Sequence, residues 1–193
     1  GKFTFEPFPG GGIRFGYWAL GEHMKRILII GCSGAGKTTL ALALGRRLHL
    51  PVHHLDQLWW QPGWVQDTRD NFDRKLAELL RSDCWVIDGD YSRTVRERLH
   101  YADTVIWLDY QRLRCVGRVL RRTISLYGRS RPDMPDGCPE RFDWTFLRYV
   151  WNYNRDARPK LAAAVAGFTG MILVMRTPSQ TAAWLRDLAP AGE

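Results

Sequence analysis

Residues 31–38 read Gly31-Cys32-Ser33-Gly34-Ala35-Gly36-Lys37-Thr38 and satisfy every fixed position of the phosphate-binding pattern G-x-x-x-x-G-K-[ST]. A triphosphate tail needs many donors converging on one small anion, with no side chains in the way. Glycines at 31, 34 and 36 remove Cβ atoms, so the loop can turn tightly and aim its N–H groups inward. Lys37 supplies a mobile charge for the β- and γ-phosphates, and the Thr38 hydroxyl is placed for a Mg2+ ion shared with them. The expected nucleotide contacts are Gly31, Ser33, Gly34, Ala35, Gly36, Lys37, Thr38 and Thr39. A glycine-rich turn alone would be weak evidence. Here the apolar run Ile27-Leu28-Ile29-Ile30 precedes it and an Ala/Leu-rich stretch extends from it to Leu48, which is the strand and helix the motif demands.

Three acidic residues, Asp56, Asp88 and Asp109, each close a short apolar run. Ligands of a parallel sheet gather at the carboxyl ends of its strands, so these groups would share a rim with Gly31. Asp88 suits a Mg2+ contact, direct or through water, against the alternative of a turn residue before Gly89. Asp56 reads as the group that orients or deprotonates a phosphoryl acceptor, or else as a helix cap, and Asp109 as a cap or turn residue. His53 and His54 read as hydrogen-bonded structural histidines. Trp59, Trp60 and Trp64 read as core or lid packing, with a stacked planar acceptor as the alternative.

The chain carries a net charge of +8, and residues 111–160 hold most of it: eleven Arg and one Lys against five carboxylates, or +7. Arginine in that excess favours bidentate phosphate recognition. Phosphoryl transfer relies on positioning and cationic stabilisation, and an Arg-bearing loop between two helices can close over a nucleotide and exclude water. A solvated helix face is the reading for Arg112 and Arg114. Because the charge coincides with this segment and not with a reading helix or an extended basic stripe, nucleic acid is not favoured as a partner.

These residues need a scaffold of alternating strands and helices. Strands are expected at 25–30, 52–55, 84–87, 104–108 and 171–175. Between them, helices are expected from Lys37 to Leu48, from a cap at Asp67 or Thr68 through Leu80, and at about 93–99. A further helix at 111–126 carries Leu113, Val116, Leu120 and Ile124 on one stripe, and another runs from 142 to about 165 with a break near Pro159. Ser179 is expected to cap a last helix through Leu188. Residues 57–67 and 127–139 have loop chemistry. The pattern is that of an α/β domain with a parallel sheet covered on both faces.

At 193 residues with 45% hydrophobic content, one domain is expected over 24–193, with a lid at about 118–160. Residues 1–23 read as a tag-derived or flexible leader, or alternatively as an aromatic arm that packs on the body. No stretch reaches the roughly 18 apolar residues of a membrane span. The four cysteines have no metal-site spacing, so a soluble protein of a reducing cytoplasm is expected.

The combination of 30–34, His54-Leu55-Asp56, Pro62-Gly63-Trp64, Trp85-Val86-Ile87-Asp88-Gly89-Asp90-Tyr91, Arg129-Ser130-Arg131-Pro132-Asp133-Met134 and Gly137-Cys138-Pro139-Glu140-Arg141 resembles the adenylate-kinase-like branch of P-loop kinases. Within it, the blocks are most similar to bacterial proteins labelled DNA topology modulation proteins. The resemblance implies a P-loop NTPase fold with a five-stranded parallel sheet in the order 2-3-1-4-5 and an Arg-rich helical lid. Asp88-Gly89 matches the start of the kinases' Asp-Gly-Phe-Pro-Arg motif but continues Asp90-Tyr91-Ser92-Arg93, a departure that weighs against a nucleoside monophosphate acceptor. Arg118 and Arg122 are similar to lid-hinge arginines that contact ATP, and Arg155 or Arg158 to those beyond the lid.

The resulting expectation is an ATP- and Mg2+-dependent phosphotransferase, monomeric or a small homo-oligomer, acting on a small molecule such as a nucleoside or nucleotide. Lys37 and the loop hold the phosphates, Thr38 and Asp88 hold the metal, Arg118, Arg122, Arg129 and Arg131 neutralise the transferring group, and Asp56 faces the acceptor. The alternatives are an ATP-dependent regulator associated with DNA topology and a kinase of a non-nucleotide metabolite. ATP over GTP rests on the resemblance.

Overall fold

In chain order the elements are β1 (Arg26–Gly31), α1 (Lys37–Leu48), β2 (Val52–His54), α2 (Leu55–Trp59), β3 (Trp60–Gln61), β4 (Val65–Gln66), α3 (Arg69–Leu80), β5 (Trp85–Asp88), α4 (Val95–Tyr101), β6 (Thr104–Leu108), α5 (Arg112–Ser125), α6 (Trp144–Asp156), α7 (Arg158–Val165), β7 (Met171–Met175) and α8 (Pro178–Asp187). They come from a computed structural model that describes residues 24–131 and 133–188; the expected leader at 1–23 lies outside the described residues.

Ile27, Leu28, Ile29 and Ile30 are completely buried, and each such side chain contributes about 2 kcal/mol to folding. A strand apolar on both faces must be central and covered from both sides. β1 accordingly pairs in parallel with β5 through Leu28 opposite Ile87, and with β6 through Leu28 opposite Val105. The full parallel sheet runs β2-β5-β1-β6-β7. Counting only these five strands along the chain, the order is 2-3-1-4-5, as expected. Right-handed crossovers then set α1 on one face and α3, α4 and α7 on the other. The order reverses direction at β1, which leaves a crevice beyond the carboxyl ends of the central strands.

Three local expectations need correction. Residues 57–67 are ordered, as expected, but not as a loop: α2 leads into a hairpin of β3 and β4, whose turn takes Gly63 and Trp64 to positive φ. Aromatic packing orders it, with Trp59 edge-on to Phe72 and Tyr91, and Trp60 edge-on to Trp64. In α5 the two ends of the expected stripe, Leu113 and Ile124, face solvent at 69% and 77% exposure, Val116 and Leu120 are half-buried, and the buried face is Cys115, Val119 and Thr123. The reason is close approach, since an added Cβ on Gly34 would lie 2.5 Å from the Cys115 carbonyl oxygen. A face of small residues turned to the phosphate loop prevails over the larger apolar stripe. The break expected near Pro159 is present and falls at Ala157, dividing the helical stretch into α6 and α7 two residues ahead of the proline. Last, Thr177 and not Ser179 caps α8, accepting from the Gln180 N–H at 3.2 Å.

Candidate active site

The phosphate loop joins β1 to α1. Gly31 has φ 142°, and a Cβ there would lie 2.5 Å from the Leu108 carbonyl oxygen, so only glycine fits. Gly36 is the N-cap of α1 at φ 97° with no side-chain cap, which leaves the first N–H groups of the helix for an anion. Lys37 Nζ donates to the carbonyls of Gly31 and Cys32 and pairs with Asp90 Oδ2 at 3.3 Å. The side chain thus reaches back over the loop whose ligand it would share.

Asp90 is a residue that the sequence pattern did not single out. Its Oδ1 accepts the Gly31 N–H at 3.0 Å while Oδ2 holds Lys37, so one carboxylate fixes both ends of the loop. Asp90 is itself held from below. Arg98, with 0% exposure, donates to the carbonyls of Gly89 at 2.8 Å, Asp90 at 2.7 Å and Tyr91 at 3.0 Å. Burial lowers the Arg98 pKa to about 10, which still leaves it charged at neutral pH. Nothing local in a short helix announces such an arginine. Asp90, by contrast, stands two residues past Asp88.

β2 and β5 deliver the acidic rim. Asp88, the last residue of β5, pairs through Oδ1 with His54 Nδ1 at 2.7 Å, and both are buried. Burial alone would lower the His54 pKa, but the hydrogen bond and charge of Asp88 outweigh it and the net shift is upward. Asp56 lies in the first turn of α2, two residues past the strand, and its Oδ1 accepts from the Tyr91 hydroxyl at 2.8 Å. Burial pushes the Asp56 carboxyl above its ordinary range, against the opposing pull of Tyr91 and the more distant Arg131 and Lys37.

Residues of the segment expected to form a lid border the front of the site. Thr38 Oγ1 donates to Asp133 Oδ2 at 3.1 Å, and Arg131 Nη1 reaches the same oxygen at 3.1 Å. Glu140 Oε1 lies 2.7 Å from Arg131 Nε and 3.0 Å from Arg122 Nε, although neither N–H points along a hydrogen-bond line. These two are close charge contacts around a buried carboxylate. Arg118 Nη1 donates to the Ala35 carbonyl at 3.3 Å, on the phosphate loop itself. The β3–β4 hairpin seals the lid's far side: Gly63 N–H bonds the Gly137 carbonyl at 2.8 Å and Trp64 Nε1 the Pro139 carbonyl at 3.0 Å.

Together these parts enclose a cavity of about 960 Å³ that runs from the loop at 33–39 to Asp56, Asp88 and the three tryptophans. Arg118, Arg122 and Arg131 line it, and Arg129 does not. The Arg129 side chain is exposed, while its backbone pairs with Leu126 and Glu140. Arg155 pairs with Asp156 on the surface, and Arg158 grips Asp109 with two bonds of 2.8 and 2.7 Å. Asp109 is therefore the partner of an ion pair and not a cap, and Arg155 and Arg158 both lie outside the cavity lining. Among the described residues no group of three His, Cys, Asp or Glu could hold a metal alone, and no helix is long and apolar enough to cross a membrane.

A five-stranded parallel sheet in this order, with a glycine-rich phosphate loop at the end of its central strand, defines the P-loop NTPase fold of the shikimate kinase type. No family model matches the chain, and no curated protein matches it. Among solved structures it is similar to shikimate kinase from Bacteroides thetaiotaomicron (TM-score 0.53, 18% identity, 86% of this chain and 96% of that one). It is also similar to shikimate kinase from Acinetobacter baumannii in complex with shikimate (0.53, 17%, 86% and 91%). A sugar kinase from Janibacter sp. HTCC2649 gives 0.51 at 20% identity over 87% and 97%. At these identities the likeness is one of fold.

Proposed function

We propose that the protein is an ATP-dependent phosphotransferase that moves the γ-phosphoryl group to a hydroxyl of a small acceptor. The observation that carries this is the single cavity joining the phosphate loop to the acidic ends of β2 and β5 beneath three arginines. The motif blocks favour the adenylate-kinase-like branch, with the bacterial topology-modulation group as the nearest pattern. Arg118, Arg122 and Arg131 line the cavity and are matched to phosphates, while other arginines of the segment, Arg129 and Arg155 among them, face solvent.

In this reading the loop amides and Lys37 hold the β- and γ-phosphates. Arg118, Arg122 and Arg131 neutralise the transferring group. A guanidinium has five donors, so Arg122 and Arg131 can keep Glu140 on one edge and turn the other to phosphate. Asp56 orients the acceptor hydroxyl: its oxygen attacks phosphorus as the bond to the leaving diphosphate breaks, and its proton passes to the carboxylate. Burial raises the Asp56 pKa, which makes it a better proton acceptor than an ordinary aspartate.

Thr38, Asp88 and Asp133 offer the hard oxygen ligands that Mg2+ prefers, in the one-or-two-carboxylate pattern of nucleotide sites. When bound, the ion would supply charge neutralisation at the phosphate oxygens. Asp133 already holds the Thr38 hydroxyl by its proton, which leaves the oxygen free to coordinate.

Transfer from γ-labelled ATP to a panel of nucleosides, nucleotides and small metabolites tests the proposal, with Lys37→Met as the control. Transfer to at least one acceptor, lost in the variant, is expected. Tight ATP binding with no transfer to any acceptor would overturn it.

A further inference from the structure

The charge pattern at the acceptor end narrows the acceptor, and this rests on the phosphotransferase reading. β6 and β7 lie on one side of β1, and the cavity wall beyond them is formed by Tyr110, Pro178 and Thr181. β2 and β5 lie on the other side and bring His54, Asp56, Asp88 and Tyr91. The phosphate loop stands between, so the base takes the first wall and the acceptor the second.

On the acceptor wall Asp56 is paired with no Lys or Arg, whereas Asp88 is held by His54 and turned to the metal site. Asp56 Oδ1 accepts from Tyr91, and its second oxygen makes no hydrogen bond among the described residues. Each nearby cation also holds a carboxylate, Lys37 with Asp90, Arg131 with Asp133 and Glu140, Arg122 with Glu140, and its remaining donors serve the transferred phosphate in the reading above. Arg141 also lines the cavity, but it is exposed, with its guanidinium 5.3 Å above the Trp64 ring. An acceptor bearing a carboxylate or phosphate would face the like charge of Asp56 with no bidentate arginine beside it. An ionised carboxylate only accepts hydrogen bonds, so its free oxygen matches a hydroxyl donor. Trp59, Trp60 and Trp64 line the same end and offer aromatic surface to a ring.

We infer that the acceptor is an uncharged polyhydroxylated ring compound, which gives hydroxyl donors to Asp56 and a ring face to the tryptophans. Free sugars and nucleosides share this chemistry. Acids and monophosphates built on the same rings do not fit it.

The test uses the full chain, Mg2+ and γ-labelled ATP against matched pairs that differ only in charge: monosaccharides with their uronic acids and sugar monophosphates, and nucleosides with their monophosphates. ATP affinity is measured in parallel by calorimetry. The neutral member of at least one pair is expected to show a kcat/KM about 100-fold above its anionic counterpart. The arm in which this occurs identifies sugar or nucleoside. Arg141→Ala is expected to change the KM for that neutral acceptor less than about threefold, whereas a guanidinium clamp on an anionic acceptor would make it rise by more than about tenfold. Failure to bind ATP would overturn the phosphotransferase reading itself. ATP binding with preference for the anionic members, or with no transfer in either arm, would overturn the inference about the acceptor.

Discussion

Thr38 Oγ1 donates to Asp133 Oδ2 over 3.1 Å, so the hydroxyl at the foot of the phosphate loop is held by a lid residue 95 positions further along the chain. The lid is tied to the site by the residue expected to meet the metal. Asp133→Ala should therefore weaken binding of Mg2+–ATP by about tenfold, ~1.4 kcal/mol, and leave metal-free ATP binding nearly unchanged. Calorimetry with and without a chelator reads the difference. An equal loss in both conditions would reduce Asp133 to a general lid contact.

Lys37→Met should lower ATP affinity by at least about tenfold, because a compact charge among converging amides is lost. Quenching of tryptophan fluorescence by nucleotide, with three tryptophans lining the cavity, provides the measurement. Affinity equal to that of the parent protein would remove Lys37 from the site.

Arg98→Met should cost about 3 kcal/mol in urea unfolding, since three buried carbonyls lose their donor at once. Arg98→Lys should recover only part of this, because a single ammonium does not span three acceptors in the way a planar fork does. Full stability in both variants would mean that water replaces the guanidinium without penalty.

The pH dependence stems from Asp56, whose carboxyl is raised by burial. If it must be ionised to act, kcat/KM rises with pH through a value above the ordinary ~3.9 of aspartate. Asp56→Asn should lose that limb along with most of the turnover. For stability the sign is fixed by the same shift. A native pKa above the unfolded one means that the folded state binds the proton more tightly, so stability falls as pH rises from the unfolded to the native value. The Asp56→Asn protein should lack that fall, and unfolding curves collected across this range would detect it.

The fold is legible in the sequence because its strongest signals are local. The run 27–30 could only be a central strand, and the pattern 31–38 dictates a phosphate loop with a helix after it. The site is legible in part for the same reason: residues at strand ends, such as Asp88, occupy predictable positions. The partners are not. Asp90, Arg98 and Glu140 act through contacts across the fold, with Glu140 set among arginines in a segment whose net charge conceals its individual carboxylates. The orientation of α5 departs from expectation because its apolar stripe at Leu113 and Ile124 is a local signal, whereas the approach to Gly34 is not. The hairpin at 60–66 is hidden because its order comes from aromatic contacts and from the lid carbonyls, not from strand propensity.

The contact of Gly34 with Cys115 leaves no room for a side chain between loop and α5. A shift of the loop's main chain on nucleotide arrival would push directly on the main chain of α5, with no rotamer to absorb it. The inner face of that helix is under geometric constraint to stay small. Its outer face, where Leu113 and Ile124 meet water, carries no such constraint.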